Sequence, residues 1–84
     1  MNKTRPKLYT LSTCVHCKAT KNFLKENGIG YDYVDVDMLA GSEREKVISE
    51  VMELTGTCRF PTIIVGKRVI LGFREDELRE ALEL

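Results

Sequence analysis

The sequence predicts a small α/β domain in which a four-stranded mixed sheet is flanked by helices on both faces, in the order β-α-β-α-β-β-α. Two patterns lead to this fold class. A strand-like, a helix-like and a second strand-like segment follow one another in the first half, and such a crossover makes its two strands parallel. Gly66-Lys67 then separates two short apolar segments as a two-residue turn, which makes those strands antiparallel. The length of 84 residues suits one domain.

The first half of the chain contains two predicted strands and one predicted helix. The first strand begins at Leu8, and the alternation of polar and apolar residues over 31–37 predicts the second. A helix is predicted between them from about Cys14 to Asn27, ended by Gly28 as a left-handed cap. The buried stripe of this helix, at helical spacing, is predicted to consist of Val15, Ala19, Phe23 and Leu24.

The second half is predicted to contribute two helices and two strands. Ser42–Glu45 matches a capping box, so a helix is expected from there to about Leu54. Strands are predicted over 61–65 and 68–71, and a last helix over 74–82. Its first turn is acidic, which the positive end of a helix favours. The inward-facing side chains of these two helices are expected to be Val47, Ile48, Val51, Met52, Leu78, Ala81 and Leu82.

Composition narrows the class of protein. Thirteen basic and thirteen acidic residues cancel, which argues against nucleic acid or an anionic membrane as the partner. Three cysteines are an odd number, unlike the even, dense set of a disulfide-stapled secreted domain. No signal-peptide core or membrane-length apolar run is present. We therefore predict a cytoplasmic monomer formed by a single domain over 1–84, with a flexible tail over 1–6.

The chemistry is concentrated in Cys14-Val15-His16-Cys17, at a predicted strand-to-helix junction. Three residues of helical rise separate the two Cα atoms by ~4.5 Å along the axis, within the roughly 4.4 to 6.8 Å that a disulfide spans. Unpaired N–H groups at the helix start stabilise a negative sulfur, and the thiolate is the attacking species. The motif thus predicts a redox-active dithiol with Cys14 as the exposed nucleophile. The alternative is a structural or fortuitous pair.

The chain resembles the glutaredoxin branch of the thioredoxin fold over nearly its whole length. The segments 14–21 and 72–76 are most similar to NrdH-redoxins, whereas 54–56, Pro61 and 66–67 are equally similar to ordinary glutaredoxins. The resemblance implies a thioredoxin-like fold and a disulfide reductase that carries electrons, without a tightly bound cofactor.

The resemblance also implies roles for individual residues. Cys14 corresponds to the nucleophile that forms a mixed disulfide with the substrate, and Cys17 to the resolving cysteine. Pro61 corresponds to the family's cis-proline, and Phe60 would offer its backbone to an extended thiol peptide. Thr13 is in addition a candidate cap of the helix. The candidate substrate-binding residues are Thr13, Arg59, Phe60, Pro61, Gly72, Phe73 and Arg74.

Three departures from the glutaredoxin pattern bear on the reductant. Leu11 stands where glutaredoxins carry a lysine that binds a glutathione carboxylate, Leu71-Gly72 replaces a glycine pair, and Glu75 replaces an aspartate. These changes, with the likeness to NrdH-redoxins, favour a disulfide-containing protein substrate, for which the family suggests ribonucleotide reductase, and thioredoxin reductase as electron source. The alternative is glutathione as reductant, acting on glutathione mixed disulfides.

For several residues the sequence leaves two possible roles open. His16 either tunes the dithiol towards a higher potential or is a solvent-exposed side chain of little effect. Cys58 is either a third redox thiol or, as we expect, a small hydrophobe. A metal module would need a second paired ligand set, so no metal site is expected, and a bridging iron–sulfur cluster is the remaining alternative. A solvated face rather than a steering patch is expected for Lys18, Lys21 and Lys25.

Overall fold

The computed structural model describes residues 5–84. The elements follow the predicted order β-α-β-α-β-β-α, which confirms the fold class, and a short 3-10 turn over Val36–Met38 is added after the second strand. The four strands are β1 (Lys7–Thr10), β2 (Asp32–Asp35), β3 (Thr62–Val65) and β4 (Arg68–Leu71). The three helices are α1 (Val15–Glu26), α2 (Gly41–Thr55) and α3 (Glu75–Ala81).

The strands form one mixed sheet in the order β2-β1-β3-β4. β1 is parallel to β2 and antiparallel to β3, and β3 is antiparallel to β4. Leu8 at the centre of β1 pairs with Tyr33 on one side and with Ile63 on the other. Because β1 and β2 run in parallel, the loops that follow them leave the sheet at the same edge.

The main core lies between the sheet and the helices α1 and α3. Successive side chains of a strand point to opposite faces, so each strand supplies alternate residues to this core. Its buried members are Leu8, Phe23, Leu24, Ile63, Val65, Ile70, Leu78 and Leu82. Tyr9 of β1 and Val51 of α2 are also buried but lie outside this cluster.

The structure corrects three local predictions. α2 begins at Gly41 after Ala40, whose side chain makes no capping hydrogen bond, so the predicted capping box at Ser42–Glu45 is wrong: Ser42 already lies inside the first turn. Val15 is 76% exposed because it is the first residue of α1 and nothing covers it. Met52 is 44% exposed, since in α2 only Val51 is fully buried.

The predicted tail over 1–6 lies outside the described residues for its first four positions. Arg5 and Pro6, however, belong to the fold. Pro6 is fully buried and its carbonyl accepts a hydrogen bond from the N–H of Asp32 at 2.9 Å. Arg5 pairs with the Asp32 carboxylate at 3.1 Å. Within 5–84, no helix combines the length and the apolar character that a membrane crossing requires.

Candidate functional site

The dithiol lies where the loop after β1 turns into α1. Cys14 is the residue immediately before the helix and has extended backbone angles of φ −78° and ψ 123°. Its carbonyl accepts the N–H of Lys18 at 3.1 Å, which closes the first helical turn around Cys17. No side chain caps this helix, so the prediction that Thr13 caps it is wrong, and Thr13 is an exposed loop residue.

The two thiols differ in their surroundings. Cys14 is partly exposed, whereas Cys17 has no accessible surface. The sulfur of Cys17 accepts a long hydrogen bond from the N–H of Leu11 at 3.5 Å. A disulfide substrate therefore has access to Cys14 first.

The environments also separate the acidities of the thiols. Burial by itself raises the pKa of Cys14, but hydrogen bonds from the Cys17 thiol and from the N–H groups of Cys17 and His16 outweigh it, so the pKa is lowered. Burial raises the pKa of Cys17 to about 12. The site thus favours a thiolate on the accessible sulfur and a neutral thiol on the buried one.

A second contact fixes the loop that carries Cys14. The Asp37 carboxylate, from the 3-10 turn after β2, accepts the N–H of Ser12 at 2.8 Å and also the Ser12 hydroxyl. The Ser12 hydroxyl is the main reason that the pKa of Asp37 is lowered. The parallel pairing of β1 and β2 brings these two loops together, and sequence reasoning had assigned neither residue to the site.

A shallow groove of about 480 Å³ runs beside the dithiol. It brings together six of the residues that the sequence singled out, namely His16, Arg59, Phe60, Gly72, Phe73 and Arg74. The remaining lining residues are Leu71, Glu75 and Asp76; the sequence pointed to Leu71 and Glu75 as departures from the glutathione-docking pattern, and Asp76 was not assigned to the site. Thr13 and Pro61 do not line the groove.

Pro61 is instead bonded to two residues that line the groove, Phe60 through the peptide bond and Gly72 through a hydrogen bond. It is fully buried and follows Phe60 through a cis peptide bond. Its carbonyl accepts the N–H of Gly72 at 2.8 Å, which joins the start of β3 to the end of β4. Phe73, which also lines the groove, makes an edge-to-face contact with Phe23 of the core, with ring centroids 5.9 Å apart.

The third cysteine stands apart from this arrangement. Cys58 is exposed, three residues before Pro61, and is not among the groove residues. Within residues 5–84, no three histidine, cysteine or acidic side chains are grouped closely enough to hold a metal ion.

One lysine departs from the solvated face predicted for α1. Lys18 and Lys25 are exposed, as expected. The Lys21 side chain is only 21% exposed, and its ammonium lies 3.1 Å from the Asp35 carboxylate, which is 19% exposed. The prediction is therefore wrong for Lys21. The position of Lys21 four residues after Cys17 indicates that it lies on the same face of the helix as the resolving thiol. Only the fold shows that Asp35 faces it.

This combination of features defines a class of protein. A dithiol at a helix start, with a reactive outer and a buried inner sulfur, beside a groove whose lining residues are bonded to a cis-proline, is the arrangement of a thiol–disulfide oxidoreductase with a thioredoxin-like fold. The glutaredoxin family model matches residues 7–70, and the chain belongs to the glutaredoxin family.

Similar proteins come from bacteria and archaea. An uncharacterised glutaredoxin-like 8.6 kDa protein in the rubredoxin operon of Clostridium pasteurianum is 34% identical over 77 residues, which cover 92% of this chain and 96% of that protein. The glutaredoxin-like protein NrdH of Escherichia coli is 31% identical over 69 residues, covering 82% and 78%. The solved structure of the Escherichia coli NrdH-redoxin, 29% identical, covers 90% and 92% with a TM-score of 0.72. Methanosarcina acetivorans methanoredoxin is 40% identical, covering 95% and 85%, with a TM-score of 0.89.

Proposed function

We propose that the protein reduces disulfides in partner proteins by a dithiol mechanism, with Cys14 as nucleophile and Cys17 as resolving thiol. The strongest support for this assignment is that the pKa values of the two thiols are shifted in opposite directions. The pKa of Cys14 is lowered although burial opposes it, while burial raises the pKa of Cys17 to about 12. The lowered pKa provides the thiolate that attacks the substrate, and the raised pKa keeps the buried thiol protonated until the mixed disulfide has formed.

The proposed cycle has two exchange steps. The Cys14 thiolate attacks one sulfur of the substrate disulfide, a bond forms between them, and the other substrate sulfur leaves as a thiolate that takes up a proton. Cys17 then loses its proton and attacks the sulfur of Cys14. The Cys14–Cys17 disulfide forms, and the second substrate thiol is released. Two electrons have passed from the dithiol to the substrate, and an external reductant must restore the dithiol.

The groove beside Cys14 supports an extended peptide as substrate. Phe60 and Gly72 line the groove from the segments before β3 and after β4, and Phe73 adds an apolar side chain to a lining that also contains charged residues. An extended segment next to a substrate cysteine is able to lie along such a groove by adding a strand. We propose contact roles for Arg59, Phe60, Gly72, Phe73 and Arg74, and a tuning role for His16 at the mouth of the groove.

We further propose that thioredoxin reductase supplies the electrons. Leu11 places an apolar side chain where the resembled glutaredoxins use a lysine, and the groove contains the carboxylates of Glu75 and Asp76. The apolar Leu11 removes a cation that would pair with a glutathione carboxylate, and Asp76 adds a negative charge to the groove; the Glu75 carboxylate only takes the place of the aspartate of glutaredoxins. The related Escherichia coli NrdH-redoxin has a thioredoxin-like activity profile, for which its structure provides the basis. By the resemblance to NrdH-redoxins, we propose ribonucleotide reductase as a substrate and the cytoplasm as the site of action of a monomer.

Glutathione as reductant is the second candidate. Arg59 and Arg74 line the same groove, and guanidinium groups pair well with carboxylates. Arg74 is already engaged, since its Nε lies 3.3 Å from the Glu77 carboxylate. Arg59 is therefore the stronger candidate for contacting a glutathione carboxylate.

A coupled insulin-reduction assay tests both the activity and the reductant. NADPH oxidation is followed with thioredoxin reductase in one series and with glutathione plus glutathione reductase in the other. We expect turnover with thioredoxin reductase, at least about tenfold slower turnover with glutathione, and none with Cys14→Ser.

Leu11→Lys restores the glutaredoxin side chain while leaving the backbone N–H of this position intact. It should raise the glutathione-dependent rate selectively. Faster turnover of the wild-type protein with glutathione would reject the proposed reductant, and full activity of Cys14→Ser would reject the dithiol mechanism itself.

A further inference from the structure

A partly buried ion pair involves Lys21, the residue one helical turn after the resolving cysteine. The Lys21 ammonium on α1 lies 3.1 Å from the Asp35 carboxylate at the end of β2. The Thr10 hydroxyl of β1 donates a hydrogen bond to the same carboxylate oxygen, which fixes the pair to the central strand. Desolvating two charges is costly, so a pair in this position suggests a purpose other than stability.

The position of the ammonium is defined from a second side. Lys21 Nζ lies 4.1 Å from the centroid of the Tyr33 ring. Tyr33 and Asp35 are two residues apart on β2 and therefore point to the same face of the sheet. The cation is thus held between an aromatic ring and a carboxylate rather than extended into solvent.

The same cation acts on the buried thiol. Lys21 follows Cys17 by one helical turn, so both side chains lie on one face of α1. The charged groups that shift the pKa of Cys17 are Cys14 and Lys21, and Asp35 pairs with the Lys21 ammonium. Burial raises the pKa of Cys17 and the neighbouring Cys14 sulfur raises it further, whereas the positive charge of Lys21 lowers it.

We propose that Lys21, held in place by Asp35, stabilises the Cys17 thiolate in the resolving step and so speeds release of the reduced substrate. This inference rests on the proposed dithiol mechanism. Lys21 is a positioning residue that acts through Cys17 and does not touch the substrate. Its effect is confined to the step in which Cys17 bears a negative charge.

The resolving step transfers one proton to solvent and breaks one sulfur–sulfur bond as it forms another. The proton of Cys17 passes to solvent, and the thiolate attacks the Cys14 sulfur of the mixed disulfide. The sulfur–sulfur bond to the substrate breaks, and its electron pair leaves with the substrate sulfur, which takes up a proton. No additional oxidant or reductant is needed, because the dithiol supplies both electrons.

Reaction with one equivalent of 5,5′-dithiobis(2-nitrobenzoate) separates the two exchange steps. Attack by Cys14 releases one coloured thiolate, and attack by Cys17 on the resulting mixed disulfide releases the second in a first-order phase. The reduced protein is used in a Cys58→Ser background, so that the exposed third thiol does not contribute. The phases are followed at 412 nm by stopped flow over a range of pH, with Lys21→Met, Lys21→Arg and Lys18→Met compared with the unaltered residue.

We expect Lys21→Met to slow the second phase about threefold at neutral pH, because a rise of about one unit in the Cys17 pKa lowers the thiolate fraction about tenfold while the more basic thiolate is about threefold more nucleophilic. Its pH profile should move to higher pH, while the first phase changes less than about twofold. Lys21→Arg should restore most of the rate, because it retains the charge. Lys18→Met removes a charge from the exposed face of the same helix and should leave the second phase unchanged.

The possible failures are distinct. An unchanged second phase in Lys21→Met, an equal slowing of both phases, or no recovery in Lys21→Arg would overturn the role of Lys21. If Lys18→Met slowed the second phase as much as Lys21→Met, the role of Lys21 would be rejected in favour of a general effect of positive charge on the helix. Absence of the second phase in the protein with Lys21 intact would instead reject the dithiol mechanism on which the inference rests.

Discussion

Replacement of Cys17 by alanine should weaken the nucleophile, although Cys17 is not the attacking residue. Three donors act on the Cys14 sulfur, namely the Cys17 thiol and the N–H groups of Cys17 and His16. Alanine removes the thiol and keeps both N–H groups, whereas serine keeps a donor at the same position. The matched pair Cys17→Ala and Cys17→Ser therefore isolates one hydrogen bond.

The size of the effect follows from the nature of this bond. A hydrogen bond to a charged group contributes about 1.5–3 kcal/mol. Cys14 is partly exposed, so water replaces part of the lost donor in Cys17→Ala, and the lower end of this range applies. About 1.4 kcal/mol corresponds to one pKa unit. We therefore expect the pKa of Cys14 to be about one unit higher in Cys17→Ala than in Cys17→Ser.

Alkylation by iodoacetamide measures this difference, because only the thiolate reacts. Rates are recorded from pH 4 to 10 by mass spectrometry in the Cys58→Ser background, where Cys14 is the single remaining thiol of either variant. A higher pKa means a smaller thiolate fraction at neutral pH, so Cys17→Ala should react up to about tenfold more slowly below both midpoints. Superimposable profiles for the two variants would refute the argument that the Cys17 thiol stabilises the Cys14 thiolate.

Two predictions on stability follow from burial. Because the pKa of Cys17 rises from 9.0 to about 12 on folding, the unfolded chain releases this proton at lower pH than the folded protein, and stability is lost as pH increases through that window. Urea unfolding under reducing conditions should show a loss of about 1–2 kcal/mol between pH 8 and 10 that is absent in Cys17→Ser, and equal losses would contradict it. Leu24 has no accessible surface, so Leu24→Ala should lower the free energy of unfolding by about 2–5 kcal/mol. Met52→Ala, at an exposed position of α2, should change it by less than about 0.5 kcal/mol, and similar losses in both variants would contradict the observed core.

Local patterns were sufficient for the order of elements. The turn at Gly66-Lys67 and the strand-to-helix junction at Cys14 need only neighbouring residues, and both lie where they were predicted. Patterns failed where the choice depended on packing. Met52 has the spacing of an inward residue but is exposed, because α2 buries only Val51 fully. Apolar spacing indicates which residues lie on one face of a helix, but not how much of that face another element covers.

In the candidate site, too, local sequence patterns located some residues, while others became apparent only in the folded structure. Spacing along the chain located the dithiol, and the resemblance pointed to Phe60 and Gly72, which the fold places in one groove. Asp76 was missed as a groove residue because an acidic first turn is also ordinary helix chemistry. Thr13 was wrongly assigned as a cap because the helix begins one residue later than such a cap requires.

The sequence by itself determined the fold class and the position of the reactive sulfur, since both depend on residues close together in the chain. Only the tertiary structure decided how completely Cys17 is buried and which carboxylate pairs with Lys21. Cys17 is buried because the fold closes over the inner face of α1, and Lys21 meets Asp35 because parallel pairing of β1 and β2 brings the end of β2 beside that helix. Burial and charge pairing arise between residues far apart in sequence, so no local pattern specifies them.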